Sequence, residues 1–279
     1  MQSTEVIFPL DARPIGVFDS GLGGLTAVRE LRRTLPAERI IYFGDTSRVP
    51  YGTRSGETIL KYARQDLRFL RRFDLKAVLI ACGTVSTTSL EPLRAENDIP
   101  VLGVVEPSVR RALELTRTGR VGLVATPSSV RSGAYQRLFK ALDPAAEVVA
   151  QACPLLVPLV ENGRFRPGDL VAETLVREYL EPVKAAGVDA LVLGCTHYPL
   201  LAEIIGAFMG PDTALVDSGA AAAAALRRQL EETDALAPAG DGQISYYSSD
   251  RAEDFRRLAG LFLGEELTQG VEQIDIDRY

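Results

Sequence analysis

Two stretches of the chain end an apolar run in a cysteine. Residues 77–88 read AVLIACGTVSTT and residues 190–201 read ALVLGCTHYPLL. Cys82 and Cys195 are each followed closely by a threonine, Thr84 and Thr196, and then by helix-like sequence. A free thiol has a pKa of about 8.5, so only a few per cent is thiolate near neutrality. A helix start or an ionisable neighbour can shift that. A single buried cysteine usually behaves as a small hydrophobe. Two in matched settings, each at the end of a strand, can instead approach one ligand from opposite sides. One thiolate can then take a proton from a carbon while the other thiol returns one to the opposite face, which inverts a stereocentre. Every step of that scheme is a proton transfer, so it needs neither a metal nor an organic cofactor.

Other residues could manage the thiol protons. His197, the chain's single histidine, lies two positions after Cys195, where it can shuttle a proton or orient the thiol. A metal centre is not expected, because Cys-x-His is close spacing and one histidine leaves too few soft ligands. In VFDSGLGGLTAV (17–28) a strand ends in Asp19, followed by Ser20 and a glycine-rich turn that opens a helix. Such a turn either receives an anion on its N–H groups or is a tight turn capped by Asp19 or Ser20. It matches no clean nucleotide-binding pattern. YFGDTSRVPYGTRS (42–55) reads as a structural loop on the same rim, and Glu161 ends the apolar stretch CPLLVPLVENG. Cys153, in QACPLLVP, reads as core. A carboxylate beside a thiol opposes thiolate formation, so Asp19 or Glu161 would help by accepting a proton.

These residues need strands to position them. Short apolar runs at 15–18, 40–43, 77–81, 101–104, 121–125, 147–150, 190–193, 214–216 and 244–247 read as strands covered on both faces. Between them, Leu25, Val28, Leu31 and Leu35 recur at roughly helical spacing, as do Ile59, Ala63, Leu67 and Leu70. A third helical pattern includes Leu170, Val176 and Leu180 and ends near Gly187. Alternating strands and helices predict an α/β protein with parallel sheets and ligands beyond the carboxyl ends of the strands. The strand–Cys–Thr pattern occurs twice, and IGVFDSG (15–21) has a looser echo in VGLVATPSS (121–129). Two related, doubly wound lobes would give this, with boundaries near Glu106–Pro107 and 216–218. The helix expected over 217–230 either returns the chain to the first lobe or continues from two consecutive lobes. Its alanine run reads as close helix packing.

Composition bounds the function. The chain has 279 residues, 46% hydrophobic and 24% charged, ordinary for a globular protein with its own core. A net charge of −6 argues against nucleic acid as a partner, which usually needs a basic stripe. Arg64, Arg68, Arg71 and Arg72 recur at helical spacing and read as a solvated face. The start MQSTEVIFPLDARP has neither the basic start nor the apolar stretch of a secretory signal. No apolar run approaches the roughly 20 residues of a membrane span. The expectation is a cytoplasmic protein with reduced thiols and no membrane partner. Three cysteines without a CxxC pair fit neither a disulfide framework nor a zinc ribbon, and they weaken a thiol-redox reading.

Six blocks, in order, resemble the cofactor-independent glutamate racemases of the aspartate/glutamate racemase superfamily. They are IGVFDSGLGGLTAVREL, IIYFGDTSRVPYGTRS, VLIACGTVST, CPLLVPLVENG, ALVLGCTHYPLL and LVDSG, and the tail YYSSDRAEDFRRLAGLFLG is similar as well. The resemblance implies two pseudo-symmetric α/β lobes, 1–106 with 217–279 and 107–216, around an interlobe active site. It implies a homodimer that interconverts L- and D-glutamate without pyridoxal phosphate and supplies D-glutamate for peptidoglycan. By motif, Cys82 and Cys195 are the acid/base pair. Asp19 assists Cys82, while His197 and Glu161 assist Cys195. Asp19, Ser20, Tyr51, Gly52, Gly83, Thr84, Thr196 and His197 fall where the family contacts substrate. One position departs: the family commonly has Cys-Asn-Thr, but this chain has Cys82-Gly83-Thr84. Gly83 offers only backbone groups, and losing a polar contact to a charged ligand costs on the order of 1.5–3 kcal/mol. A racemase for aspartate or another amino acid, or a non-catalytic amino-acid-binding homologue, are the alternatives.

Overall fold

A computed structural model describes residues 11–238 and 240–279. The first ten residues, to which the expectation about a leader segment applies, lie outside the described residues. In chain order the strands are β1 (Ile15–Asp19), β2 (Ile40–Gly44), β3 (Ala77–Ile80), β4 (Val101–Gly103), β5 (Arg120–Ala125), β6 (Glu147–Ala152), β7 (Ala190–Leu193), β8 (Ala214–Asp217), β9 (Ile244–Ser248) and β10 (Val271–Gln273). They form a 6-stranded sheet of order β10-β9-β2-β1-β3-β4 and a 4-stranded sheet of order β6-β5-β7-β8. Each of these pairings is parallel.

Buried side chains alternate between two layers, which is why these strands read as unbroken apolar runs. Ile15 and Val17 of β1, and Ala77 and Leu79 of β3, join one core; Phe18, Val78 and Ile80 join another. In the second sheet Leu191 and Leu193 enter the same shared core, while Ala190 and Val192 face a third cluster. Helix Leu25–Thr34 and helix Ser218–Glu232 pack against each other beside that shared core. Small residues permit it: Ala222 and Ala223 are fully buried, and a Cβ on Gly219 would already lie 3.0 Å from the Cα of Ala27.

The order β2-β1-β3-β4 recurs as β6-β5-β7-β8, so the sequence echo corresponds to a topological repeat. In each sheet the chain order reverses beside the central strand, β1 or β5. Ligands of open α/β sheets bind at such a crevice, beyond the carboxyl ends of the strands. Cys82 lies just beyond the end of β3, and Cys195 just beyond the end of β7. After helix Ser218–Glu232 the chain adds β9 beside β2 and β10 beside β9.

Several details differ from the sequence expectations. Residues 105–107 belong to helix Val105–Leu115, not to a connection after a strand. Pro107 sits in its first turn, where its missing N–H costs no helical bond. Strand β10 has only three residues, VEQ, and so carries no apolar run to detect. The arginine-rich helix face is exposed and paired, Arg64 with Glu96 at 2.6 Å and Arg71 with Asp98 at 2.7 Å. No helix among the described residues is long and apolar enough to cross a membrane.

Candidate active site

One cavity of about 330 Å³ opens between the two sheets, lined from both sides. That is at the small end of the roughly 300–1,000 Å³ range of small-molecule pockets. The first sheet's side supplies Ser20, Gly21, residues 49–53, Cys82, Gly83 and Thr84. The second supplies Thr126, Cys153, Glu161, Cys195, Thr196 and His197. Every residue singled out in the sequence lines this cavity except Asp19, which lies directly beneath the glycine-rich turn.

That turn is held by Asp19 rather than capped by it. Asp19 Oδ2 accepts the Gly21 N–H at 3.1 Å, while helix Leu25–Thr34 starts at Gly24 without a side-chain cap. Gly24 allows the approach, since a Cβ there would lie 2.5 Å from the Asp19 Cβ and 3.0 Å from the Tyr42 hydroxyl. Asp19 is 1% exposed, and its Oδ1 is buried without a hydrogen-bond partner. Burial raises its pKa, against the lowering effects of His197 and of the Gly24 and Gly21 N–H groups.

The two thiols have different company. Cys82 lies between β3 and helix Gly83–Thr88 and donates to Ser20 Oγ at 3.6 Å. Burial, then the nearby Asp19 carboxylate, push its pKa up to about 12, so the resting group is a thiol. Cys195 Sγ is 3.8 Å from His197 Nδ1. The other ring nitrogen, Nε2, is 3.1 Å from Glu161 Oε1, at the end of helix Leu156–Glu161. Burial opposes a charged imidazole, but its bonds to Cys195 and Glu161 outweigh that and raise His197 to about 10. As an imidazolium it donates one N–H to the carboxylate and directs the other at the sulfur.

Hydroxyls complete the lining. Thr84 Oγ1 and Thr126 Oγ1 are 3.0 Å apart across the cavity's two sides, and Thr196 Oγ1 is 3.4 Å from His197 Nδ1. Thr126 carries no chemical signal of its own in the sequence, although the echo of 15–21 in 121–129 aligns it with Ser20, one residue past the end of its strand. Cys153, read as core, is fully buried yet lies in the cavity wall. Its pKa is raised by burial and then by Cys195, and it has no acid–base partner comparable with His197.

The loop that carries Tyr51 and Gly52 stands on a buried ionic cluster. Arg48 reaches Asp45 Oδ2 at 2.6 Å and Asp66 Oδ1 at 2.9 Å, and both carboxylates are fully buried. The Tyr51 hydroxyl donates to Asp45 and, at 3.1 Å, to Asp66. Burial and the Asp45 charge drive the Asp66 pKa well upward. Nothing in the residue pattern of 42–55, which reads as a structural loop, signals this cluster.

Comparison with known proteins agrees with this fold. The family model described as Asp/Glu/Hydantoin racemase matches residues 15–226. A glutamate racemase of Geobacter metallireducens is 46% identical over 256 residues, covering 91% of this chain and 94% of the relative. The crystal structure of the Francisella tularensis glutamate racemase in complex with D-glutamate superposes with a TM-score of 0.89 at 38% identity, over 97% of this chain and 100% of that one. The Thermus thermophilus glutamate racemase, in complex with β-chloro-D-alanine, gives a TM-score of 0.87 at 41% identity, again over 97% and 100%.

Proposed function

The chain belongs to the Asp/Glu/Hydantoin racemase family, and within it we propose a glutamate racemase that works by proton exchange between Cys82 and Cys195. The observation that carries this reading is that both thiols line one cavity from corresponding strand ends of two sheets. Glutamate is favoured as substrate because relatives 40–46% identical over at least 90% of the chain are glutamate racemases.

In the proposed cycle one sulfur, as thiolate, takes the Cα proton. The electron pair left on Cα delocalises into the substrate carboxylate. The opposite thiol gives its proton to the other face of Cα and becomes the thiolate. The pair has then exchanged roles, and the reverse cycle runs from there. Asp19 is the proton acceptor and donor for Cys82; its buried, unpartnered Oδ1 suits that task. His197, held by Glu161, serves Cys195. The hydroxyls of Ser20, Thr84 and Thr196 and the backbone at Tyr51, Gly52 and Gly83 are assigned to the substrate's charged ends.

The same reading assigns 1–106 with 217–279 to one lobe and 107–216 to the other. It also makes the protein a cytoplasmic homodimer that supplies D-glutamate for peptidoglycan. The decisive experiment is incubation with L- or D-glutamate in heavy water. The optical signal should decay to zero from either side, and deuterium should enter Cα. No exchange with either enantiomer in folded, reduced protein refutes the reading, and faster inversion of aspartate refutes the choice of substrate.

A further inference from the structure

The loop that carries Cys195 and His197 is held by the other sheet. The Thr26 hydroxyl, in the first turn of helix Leu25–Thr34, donates to the Thr196 carbonyl at 2.9 Å. That helix follows β1 of the 6-stranded sheet, whereas Thr196 follows β7 of the 4-stranded sheet. Thr26 is buried. We infer that Thr26 is a positioning residue: its hydroxyl ties the Cys195–Thr196–His197 backbone to the glycine-rich turn beside Asp19, and so places that acid–base pair relative to Cys82. The inference rests on the racemase reading, because a reaction shared between both thiols depends on how they are placed.

The local backbone explains why a side chain from outside the loop is needed. The Tyr198 N–H donates to the Cys195 carbonyl at 3.1 Å, and the Leu200 N–H to the His197 carbonyl at 3.2 Å. The same three-residue step would satisfy the Thr196 carbonyl from position 199. That position is Pro199, which has no N–H. The Thr26 hydroxyl takes its place. The Gly23 carbonyl also lies 2.9 Å from this hydroxyl, but it already accepts the Thr26 N–H at 3.0 Å, which leaves the hydroxyl proton for Thr196. The surroundings give the loop little slack. A Cβ on Gly23 would overlap Thr196 Oγ1 and lie 2.6 Å from His197 Cε1 and Nδ1. Phe262, fully buried on helix Ala252–Leu263 after β9, meets the imidazole edge to face, with ring centroids 5.2 Å apart at 84°. His197 therefore stands in a slot built by elements of the 6-stranded sheet, while its bonds to Cys195 and Glu161 come from its own side. Without the Thr26 bond the loop can leave that slot, and a misplacement of about 1 Å can cost on the order of 10²-fold in rate.

The test compares Thr26→Val, which removes the donor, with Thr26→Ser, which keeps it. Turnover and KM for glutamate are measured in both directions, Tm by thermal melting, and the charge of His197 by NMR titration of the chain's single histidine. Thr26→Val should lower kcat by at least about 10-fold, with KM little changed. It should also lower the His197 pKa from about 10, because a displaced ring loses its bonds to Cys195 and Glu161. Thr26→Ser should keep both properties near wild type. A third variant, Thr26→Val with Pro199→Ala, gives the loop an N–H of its own for the Thr196 carbonyl. Measured against Pro199→Ala alone, it should recover the Tm lost in Thr26→Val but not the kcat, since the tie to the 6-stranded sheet stays broken. Recovery of kcat as well overturns the inference, because the carbonyl then needs a partner and not a tie. An equal loss of kcat in Thr26→Ser overturns it too. So does a Thr26→Val enzyme with wild-type kcat and His197 titration, whatever its Tm. So does a chain that folds in neither Thr26→Val nor the double variant, since Thr26 would then be a folding requirement. Wild-type protein that neither exchanges nor inverts glutamate overturns the racemase reading instead, and a lowered His197 pKa in Thr26→Val would still show that Thr26 places the ring.

Discussion

His197 Nε2 lies 3.1 Å from Glu161 Oε1, so the imidazole that faces Cys195 is held from behind by a carboxylate. This bond and the one to Cys195 raise His197 to about 10 against the opposing effect of burial. Glu161→Gln should therefore lower the His197 pKa, read by NMR titration of the ring of the chain's single histidine. An unmoved pKa would show that Glu161 does not set the charge state. The sign for stability follows from linkage. The folded value is raised, so the stabilisation is complete below the unfolded value of about 6.5. It is lost as pH rises through about 10. Wild-type Tm should fall across that interval more than the Tm of His197→Asn. Parallel curves would contradict it.

The three thiols should separate by function. A positioned acid or base typically contributes 10²–10⁴-fold, so Cys82→Ser and Cys195→Ser should each lose racemisation by at least about 10²-fold while remaining folded. Cys153→Ala should keep most of its turnover, because Cys153 lines the wall without an acid–base partner. Chiral chromatography of the three variants decides this. Full activity in either serine variant would end the two-thiol mechanism.

Asp19 gives a prediction about direction. Its carboxylate adjoins Cys82 and is raised by burial, while His197 and Glu161 adjoin Cys195. Asp19→Asn should slow inversion by on the order of 10²-fold, with unequal effects on kcat for L- and D-glutamate. His197→Asn should skew the two directions the opposite way. Identical ratios of the two kcat values in both variants would mean that the helpers are not divided between the thiols.

Much of this was legible in the sequence for a physical reason. Strands covered on both faces leave continuous apolar runs, and Val17, Leu79, Val124 and Leu193 are all fully or almost fully buried. The paired cysteines stood out because each terminates such a run. Glu161 did not, because its link to His197 joins separate elements, and residue type alone gives it only a turn. The close approach of Gly83 to the Gly194 carbonyl is equally invisible, since it joins turns that follow strands of two different sheets. Asp45, Arg48 and Asp66 escaped notice because a buried ionic cluster has no periodicity. β10 escaped because half-buried and exposed positions on a three-residue edge strand carry no pattern.

That ionic cluster also makes the last prediction. Arg48 is the cation shared by Asp45 and Asp66, at 2.6 and 2.9 Å. It also lies over the Tyr62 ring, 4.2 Å from the centroid. Removing one partner of a buried ionic group typically costs about 3–5 kcal/mol, because the remaining charge is left uncompensated. Arg48→Met should therefore destabilise the chain on that scale in denaturant titration. Asp66→Asn should be milder. The Asp66 pKa is driven upward by burial and Asp45, so an uncharged group of the same shape suits the site. The raised folded value sets the pH sign: Asp66 favours folding most below its unfolded value of about 3.9, and that contribution is lost as it ionises with rising pH. Asp66→Asn should flatten this part of the stability profile. Both variants should also raise KM for glutamate, since the Tyr51 hydroxyl is anchored here and the Tyr51–Gly52 backbone lines the cavity. A large stability loss in Arg48→Met with KM unchanged would make the cluster structural only. Equal losses in the two variants would mean that Asp66 is ionised and needs Arg48 as its counter-charge.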